Sequence, residues 1–330
     1  MSVLVTGGAG YIGSHMVYEL VDRGERVVVL DDLSTGFDWA VAPEAELVIG
    51  DVGDRVLLDR LIKSRGVDTM MHFAGSVVVP DSVADPLGYY LNNTVKSREL
   101  IAAAVTGGVQ RFVFSSTSAV YGAPKQIPVV EETPLDPMSP YGASKAMTER
   151  MLADAGVAYG LRSVALRYFN VAGADPKGRT GQSTRGATHI LKVAIEAATG
   201  QRDHVAVFGT DYDTPDGTGI RDYIHVSDLV AAHAAALDHL ASGGESLVLN
   251  CGYGRGYSVL ELLDAVQRVA GRTLDIRPRA RRPGDVPAMV AAATTIRAKL
   301  GWTPRYDDID TIVAHALAWE TKLLEKRQAA

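Results

Sequence analysis

Apolar positions in the first half of the chain fall in short runs, each closed by small or polar residues. Val3-Leu4-Val5 gives way to Thr6-Gly7-Gly8, Arg26-Val27-Val28-Val29-Leu30 ends at Asp31, and Leu47-Val48-Ile49 ends at Asp51. Thr69-Met70-Met71-His72-Phe73 runs into Ala74-Gly75, and Arg111-Phe112-Val113-Phe114 into Ser115-Ser116-Thr117. A sixth run, Ser163-Val164-Ala165-Leu166-Arg167, ends at Tyr168-Phe169-Asn170. Short apolar runs without alternation read as strands buried on both faces, and the stretches between them read as helices. The expectation is an α/β chain with a parallel sheet covered on both sides. In each unit the chemically useful residues follow the strand's carboxyl end, where open α/β sheets place their ligands.

Beyond Asn170 the pattern changes. Residues 172–186 hold four glycines with Pro176, Arg179 and Arg185, and read as a mobile surface loop. A helix is expected near 187–199, a strand over Val205-Ala206-Val207-Phe208, and a turn at Pro215-Asp216-Gly217-Thr218-Gly219. An alanine-rich helix over 228–240 and a strand over 247–250 should rejoin the first sheet. The predicted division is residues 1–170 plus about 222–252 in one domain. About 171–221 and 253–330 then form a smaller α/β C-terminal domain.

The break after the first strand carries the first chemical signal. Gly7-Gly8-Ala9-Gly10-Tyr11-Ile12-Gly13 fits both G-x-G-x-x-G and G-x-x-G-x-x-G. Glycines there make a tight turn, admit the backbone to a pyrophosphate and pack helix on strand, while the helix start offers free N–H groups to the anion. Asp31 stands 18 positions after Gly13, at the end of the second strand. A carboxylate there accepts from ribose hydroxyls and repels a 2′-phosphate, and no Lys or Arg lies between Asp31 and Asp54 to rescue one. These features predict a Rossmann-type doubly wound sheet that binds NAD rather than NADP.

Charge and composition then remove several classes of function. At 330 residues, 33 Lys and Arg against 39 Asp and Glu leave a net charge of −6. The one basic stretch, Arg277–Arg282, is broken by proline, so neither nucleic acid nor an anionic membrane is an expected partner. The single cysteine, Cys251, fits a reducing compartment and reads as a small buried side chain. A strand that begins beside the first methionine leaves no space for a cleaved leader, and no apolar run approaches a membrane span. A cytoplasmic protein without a bound metal is expected.

Ser139-Pro140-Tyr141-Gly142-Ala143-Ser144-Lys145 is the second chemical signal. Ser139 caps a helix with Pro140 at its first turn, so Tyr141 and Lys145, four apart, share one face. A phenol with a pKa near about 10 is a poor base at neutral pH. A neighbouring ammonium and a positive nicotinamide ring would lower that value and make Tyr141 a proton acceptor for a hydroxyl losing hydride. Thr117, with Ser115 and Ser116 beside it, should hold the same substrate oxygen.

Taken together these residues resemble the extended short-chain dehydrogenase/reductase superfamily, and within it the UDP-galactose 4-epimerases along nearly the whole chain. The similarity is carried by Val5–His15, His72–Gly75, Tyr89–Asn93, Leu166–Asn170, Arg282-Pro283-Gly284-Asp285 and, most specifically, Asp216–Val226. The resemblance implies a retained NAD that takes a hydride from the sugar C4 and returns it to the other face, with Tyr141 as acid/base. It also implies that Gly7, Gly10, Tyr11, Ile12, Gly13 and Asp31 hold NAD. Asp51 and Val52 would flank its adenine, with Phe73, Ala74, Gly75, Asn93, Ser115, Lys145 and Tyr168 near its other end. For the UDP-sugar it implies Asn170, Arg221 and Arg282 at the diphosphate, Ala206 and Phe208 at uracil, Asp285 at ribose, His189 alongside, and Thr117 and Met289 at the sugar. Ion pairs of the arginines with Asp222 or Asp285 are the other reading of those positions.

Some positions depart from the pattern. Val77 replaces a lysine common near the cofactor, Thr117 replaces serine, and His189 replaces asparagine. Met289 stands where tyrosine narrows the sugar pocket and smaller residues admit N-acetyl sugars, so N-acetylhexosamine, pentose and uronic UDP-sugars stay open as substrates. A dehydratase would need Asp-Glu after Thr117, but Ser118-Ala119 follows. A net oxidoreductase would release its cofactor each turnover, and a non-enzymatic NAD sensor would lose Tyr141 or Lys145. Helices around 93–106 and 141–156 bear apolar residues on more than one face (Leu100, Ile101, Val105, Met147, Met151, Leu152), and the resemblance implies a homodimer paired through them.

Overall fold

The apolar runs of the first half become β1 (Ser2–Thr6), β2 (Arg26–Asp31), β3 (Glu46–Ile49), β4 (Thr69–His72), β5 (Arg111–Thr117) and β6 (Arg162–Tyr168). The second half adds β7 (Asn170–Ala172), β8 (Val205–Phe208), β9 (Ile220–Arg221), β10 (Tyr223–His225) and β11 (Leu247–Cys251). Three more short strands follow: β12 (Tyr257–Ser258), β13 (Ile276–Arg279) and β14 (Ala288–Met289). The computed structural model describes residues 1–282 and 284–329, with side chains to Arg327; Pro283, in one of the resemblance segments, lies outside the described residues.

Seven strands make one parallel sheet in the order β11-β6-β5-β4-β1-β2-β3. The order reverses direction at β1, so the carboxyl ends of β1 and β4 flank a crevice of the kind that takes ligands. Alternation along each strand sends Val3, Val5, Val27 and Val29 to one face and Leu4, Val28 and Leu30 to the other. The second face is covered by α2 (Arg55–Arg65), α5 (Lys96–Thr106) and α6 (Pro140–Tyr159). Short α3 (Val79–Ala84) and α4 (Pro86–Tyr89) lead into α5 through a π-helical turn at Tyr90–Val95. The first face packs α1 (Tyr11–Asp22) and α8 (Val226–Ala241). Its apolar cluster runs on into the second half, through α7 (Ile190–Ala198), α9 (Val259–Ala270), α10 (Thr294–Leu300) and α11 (Ile309–Ala329). Val3, Leu262, Trp302 and Val313 therefore belong to one core.

Local chemistry sets the helix ends. Ser139 Oγ accepts from the Gly142 amide at 3.2 Å, with Pro140 at the first position of α6. Asp54 caps α2, which stops at left-handed Gly66, and Ser258 with Glu261 forms a capping box on α9.

One expectation is corrected. The 172–186 segment is packed rather than loose: Asp175 is buried and accepts from Arg179 Nε at 2.8 Å, Arg179 reaches Asp22 of α1, and Ser14 Oγ lies 2.8 Å from Thr180 Oγ1. Side-chain pairs lay the glycine-rich segment onto α1, which composition does not reveal. The apolar residues of the 93–106 and 141–156 helices divide: Leu100, Ile101 and Leu152 are buried against the sheet, while Met147 is exposed together with nearby Leu87, Leu91 and Val95, so the apolar residues do lie on more than one face. The π-helical turn shifts the helix phase, so α5 proper begins at Lys96 rather than at Asn93.

A buried ion pair locks β5, β6 and α6 together. Arg167 meets Glu149 through Nη2 at 2.7 Å, both side chains being under a tenth exposed, and Ser116 Oγ donates to the same carboxylate. Removing one partner leaves an unpaired charge in the core. We predict that Glu149→Ala lowers unfolding free energy by about 3–5 kcal/mol in urea titrations, with recovery when Arg167→Met is added.

Candidate active site

The turn after β1 is built on backbone contact. Gly7 has φ +71, and a Cβ there would lie 2.5 Å from the Ala74 amide nitrogen at the end of β4. A Cβ at Gly13 would lie 2.0 Å from the Gly7 carbonyl oxygen. Gly10 is the N-cap of α1 without a side-chain cap, so the Tyr11, Ile12 and Gly13 amides of the first turn lack helical partners. Tyr11 turns away and donates its hydroxyl to Gly173 O at 2.6 Å. Asp31, buried at the end of β2, accepts from the Ala9 and Leu33 amides at 2.9 Å each. Burial pushes its carboxyl above the usual range against those two amides. A turn packed tightly without side chains, unpaired amides at a helix start and a carboxylate one strand away are what a dinucleotide requires, so the residues fit NAD.

Further along this edge, Asp51 takes the Lys96 ammonium at 2.7 Å and the Gly53 amide at 2.7 Å. Burial pulls Asp51 upward, but these partners outweigh it and leave the group below its ordinary value. Val52 packs beside the second core. The Phe73 and Ala74 amides both donate to Thr6 O, and Gly75 faces the Asn93 and Lys145 side chains. Asn93 is buried and already engaged: it accepts from the Ser76 amide and donates to Ser76 O and Ser144 Oγ. Both Nδ2 hydrogens are used, so Asn93 braces the loop after β4 against α6.

Tyr141, Lys145 and Thr117 are all buried at the carboxyl end of β5. The Thr117 hydroxyl lies beside the Tyr141 phenol and also accepts from the Ala119 amide at 3.1 Å. Ser115 Oγ is buried without a well-formed hydrogen bond among the described residues, next to the half-buried Tyr168 phenol. Lys145 Nζ donates to Ser115 O at 3.1 Å and lies 4.9 Å from the Phe114 ring centroid. In the protein by itself the two groups are shifted chiefly by burial. Burial drives Tyr141 above its ordinary value, with Tyr168 and Tyr89 adding to the rise and Thr117 opposing it. Burial also lowers Lys145 to about 8, against a smaller pull from Glu149. The Lys145 ammonium is turned to the Ser115 carbonyl, and burial is the dominant influence on the phenol.

The second half brings the other expected residues to the rim. Asn170 opens β7 and donates its amide to Asp222 O, while His189 caps α7, exposed, with Gln182 Nε2 3.3 Å from its Nδ1. Ala206 and Phe208 lie on β8, paired with Arg277 and Arg279 of β13. Arg282 sits flat on Phe208, its guanidinium carbon 3.8 Å from the ring centroid. Arg221 approaches Asp285 only to 3.7 Å, looser than a charge-assisted hydrogen bond, and does not pair with Asp222. Met289 is paired in register with Arg221 and packs with Val120, Tyr121 and Phe169, next to the Thr117 turn. Asp222, read from sequence only as a possible ion-pair partner of an arginine, is buried and accepts from the Tyr253, Gly254 and Ala291 amides. It ties β9, β14 and the end of β11 together; its flanking Arg-Asp-Tyr pattern was the only signal available. Among the described residues no cluster of metal-binding side chains occurs, and no helix is long and apolar enough to cross a membrane.

Fold and site define a dinucleotide-binding α/β protein with a buried tyrosine–lysine–threonine group at its strand ends. The chain belongs to the NAD dependent epimerase/dehydratase family, whose model matches residues 3–252. It is 58% identical over 321 residues to a UDP-glucose 4-epimerase of Azospirillum brasilense, covering 97% of this chain and 92% of that protein. The crystal structure of UDP-glucose 4-epimerase from Brucella ovis in complex with NAD superimposes with TM-score 0.93 at 44% identity, over 96% of this chain and 97% of that one. That of the Bifidobacterium longum enzyme with NAD+ and UDP gives TM-score 0.93 at 39% identity, over 98% of each chain.

Lys145 makes a measurable claim. In the unfolded chain it keeps its proton to about 10.5, in the folded protein only to about 8. The unfolded state binds more protons between those values, so this group makes stability rise with pH from 8 to 10.5. Urea midpoints of Lys145→Met should rise less than those of the parent across that window. Parallel curves would show that the amine is not desolvated.

Proposed function

We propose that the chain interconverts UDP-glucose and UDP-galactose through a transient 4-keto sugar, with tightly held NAD. The carrying observation is the burial of Tyr141, Lys145 and Thr117 at the carboxyl end of β5, on the same sheet edge as the glycine turn after β1. The named activity of relatives this similar in sequence supports the reading. When bound, NAD supplies a reversible acceptor for the C4 hydride. Its pyrophosphate would lie on Gly7, Gly10 and Gly13 with the amides of Tyr11 and Ile12, its ribose on Asp31, and its adenine between Asp51 and Val52. Phe73, Ala74, Gly75, Asn93, Ser115, Lys145 and Tyr168 would enclose the other end.

Tyr141 acts as the phenolate, having released its own proton to solvent once a bound positive charge lowers its pKa; its Oη takes the 4-hydroxyl proton and later gives it back, and Thr117 Oγ1 holds that oxygen in place. The protein alone keeps the phenol protonated, so proton abstraction is coupled to a bound positive charge. Asn170, Arg221 and Arg282 serve the diphosphate, Ala206 and Phe208 the uracil, Asp285 the ribose, with His189 beside them. Neither arginine is held in a tight ion pair, which supports that role. In this reading residues 1–170 and about 222–252 carry NAD, while about 171–221 and 253–330 carry the UDP-sugar. Met289 is buried yet unbranched and adaptable, which favours acceptance of UDP-N-acetylhexosamines as a second reading. Exposed Leu87, Leu91, Val95 and Met147 support a homodimer through the α4–α6 face.

Incubation with UDP-galactose and no added NAD, followed by proton NMR of the anomeric signals, should give a mixture with UDP-glucose. No conversion even with NAD supplied would overturn the assignment, and turnover of UDP-N-acetylglucosamine in the same assay reads the Met289 pocket. Tyr141→Phe should cut kcat by roughly 10²–10⁴-fold while leaving NAD bound. Light scattering should give twice the 35.1 kDa chain mass; a single-chain mass at micromolar concentration would remove the dimer.

A further inference from the structure

The loop that follows Asp31 holds a strained residue. Leu33 has φ +58, the one non-glycine residue with positive φ among the described residues. A leucine in that region is disfavoured and persists only when its surroundings fix it. Its amide donates to Asp31 Oδ1, so the strained turn directly shapes the carboxylate assigned to the ribose.

Two anchors hold the far end of this loop. Gly36 lies against Ala9 of the glycine turn, and the Phe37 amide donates to Ala9 O at 3.0 Å. Three residues after Gly36, Trp39 stacks on Trp319 of α11, with ring centroids 6.3 Å apart and planes 26° from parallel. Trp319 is buried and donates its indole N–H to Ser183 Oγ at 3.2 Å. Gly181 packs on its ring so closely that a Cβ would fall 2.3 Å from Cγ. The next residue, Glu320, pairs with buried Lys192, one turn into the helix that His189 caps. Trp39 itself is 43% exposed, so its ring is held by this stack and by Phe37 rather than by the core.

We propose that the Trp39–Trp319 stack is a clamp on the cofactor loop: it pins the Leu33 turn and the glycine turn to α11 and slows escape of NAD. This rests on the NAD-site reading above. The two indoles are positioning residues, remote from the reacting atoms. Loss of the stack frees the loop to relax Leu33 out of its strained state, which moves the Asp31 carboxylate away from the geometry that holds the ribose. The effect falls on cofactor residence, not on the proton transfer at Tyr141.

The test is the dissociation rate of NAD from the purified holoprotein, read as NAD released through a desalting column over time. Trp39→Ala alters a half-exposed ring and spares the core. Its NAD release should be about three- to tenfold faster, as expected for one lost aromatic pair. Its kcat at saturating NAD should match the parent, and Trp39→Phe should recover most of the retention. Release at the parental rate overturns the clamp, and so does a fall in kcat at saturating NAD. A parent protein that carries no NAD and binds none when it is supplied would remove the NAD-site reading itself, and the clamp with it.

Discussion

Backbone-on-backbone contact between the ends of β1 and β4 is the constraint from which the site follows. With no side chain at Gly7, the Ala74 amide comes close enough that a Cβ would collide at 2.5 Å, and Gly13 lets α1 start directly over the turn. That start aims unpaired amides at the crevice. It also brings Tyr11 to Gly173 and Ser14 to Thr180, so the same turn that receives an anion fastens the second half of the chain to the first. A methyl group at either glycine would disturb the ligand site and the join at once.

The chemistry then depends on how little water reaches the end of β5. Tyr141 and Lys145 are both displaced from their ordinary protonation in the direction that keeps them neutral, the signature of desolvation rather than of mutual pairing. The nearest carboxylate, Glu149, is paired with Arg167 and pulls on Lys145 less than burial does. Perturbed groups gathered at a crevice are the usual mark of a working site.

The sheet and the candidate residues at its strand ends were legible in the sequence because their signals are local. Unbroken apolar runs ending in Asp31, Gly75, Thr117 and Asn170 mark strands and their carboxyl ends, and Ser139-Pro140 marks the start of α6. The packing of residues 172–186 was not legible. Glycine, proline and arginine there read as a free loop, whereas Asp175 and Arg179 act only once α1 supplies Asp22. Asn93 shows the same limit: its position near the cofactor end was readable, but its bonds to Ser76 and Ser144 link segments far apart in sequence. The phase change at Tyr90–Val95 has no side-chain signature at all, and it decides which apolar residues face the sheet and which face outward.

The apolar cluster that includes both Val3 and Val313 has a mechanical consequence. Halves that share a core cannot swing apart as separate bodies without exposing residues such as Leu262, Trp302 and Ile312 to water, at about 25 cal/mol for each Å² uncovered. Wide opening is therefore the steep direction on the energy surface. A crevice between such halves keeps its walls at a fixed spacing, so a ligand is received by side-chain and loop adjustment rather than by the halves closing over it.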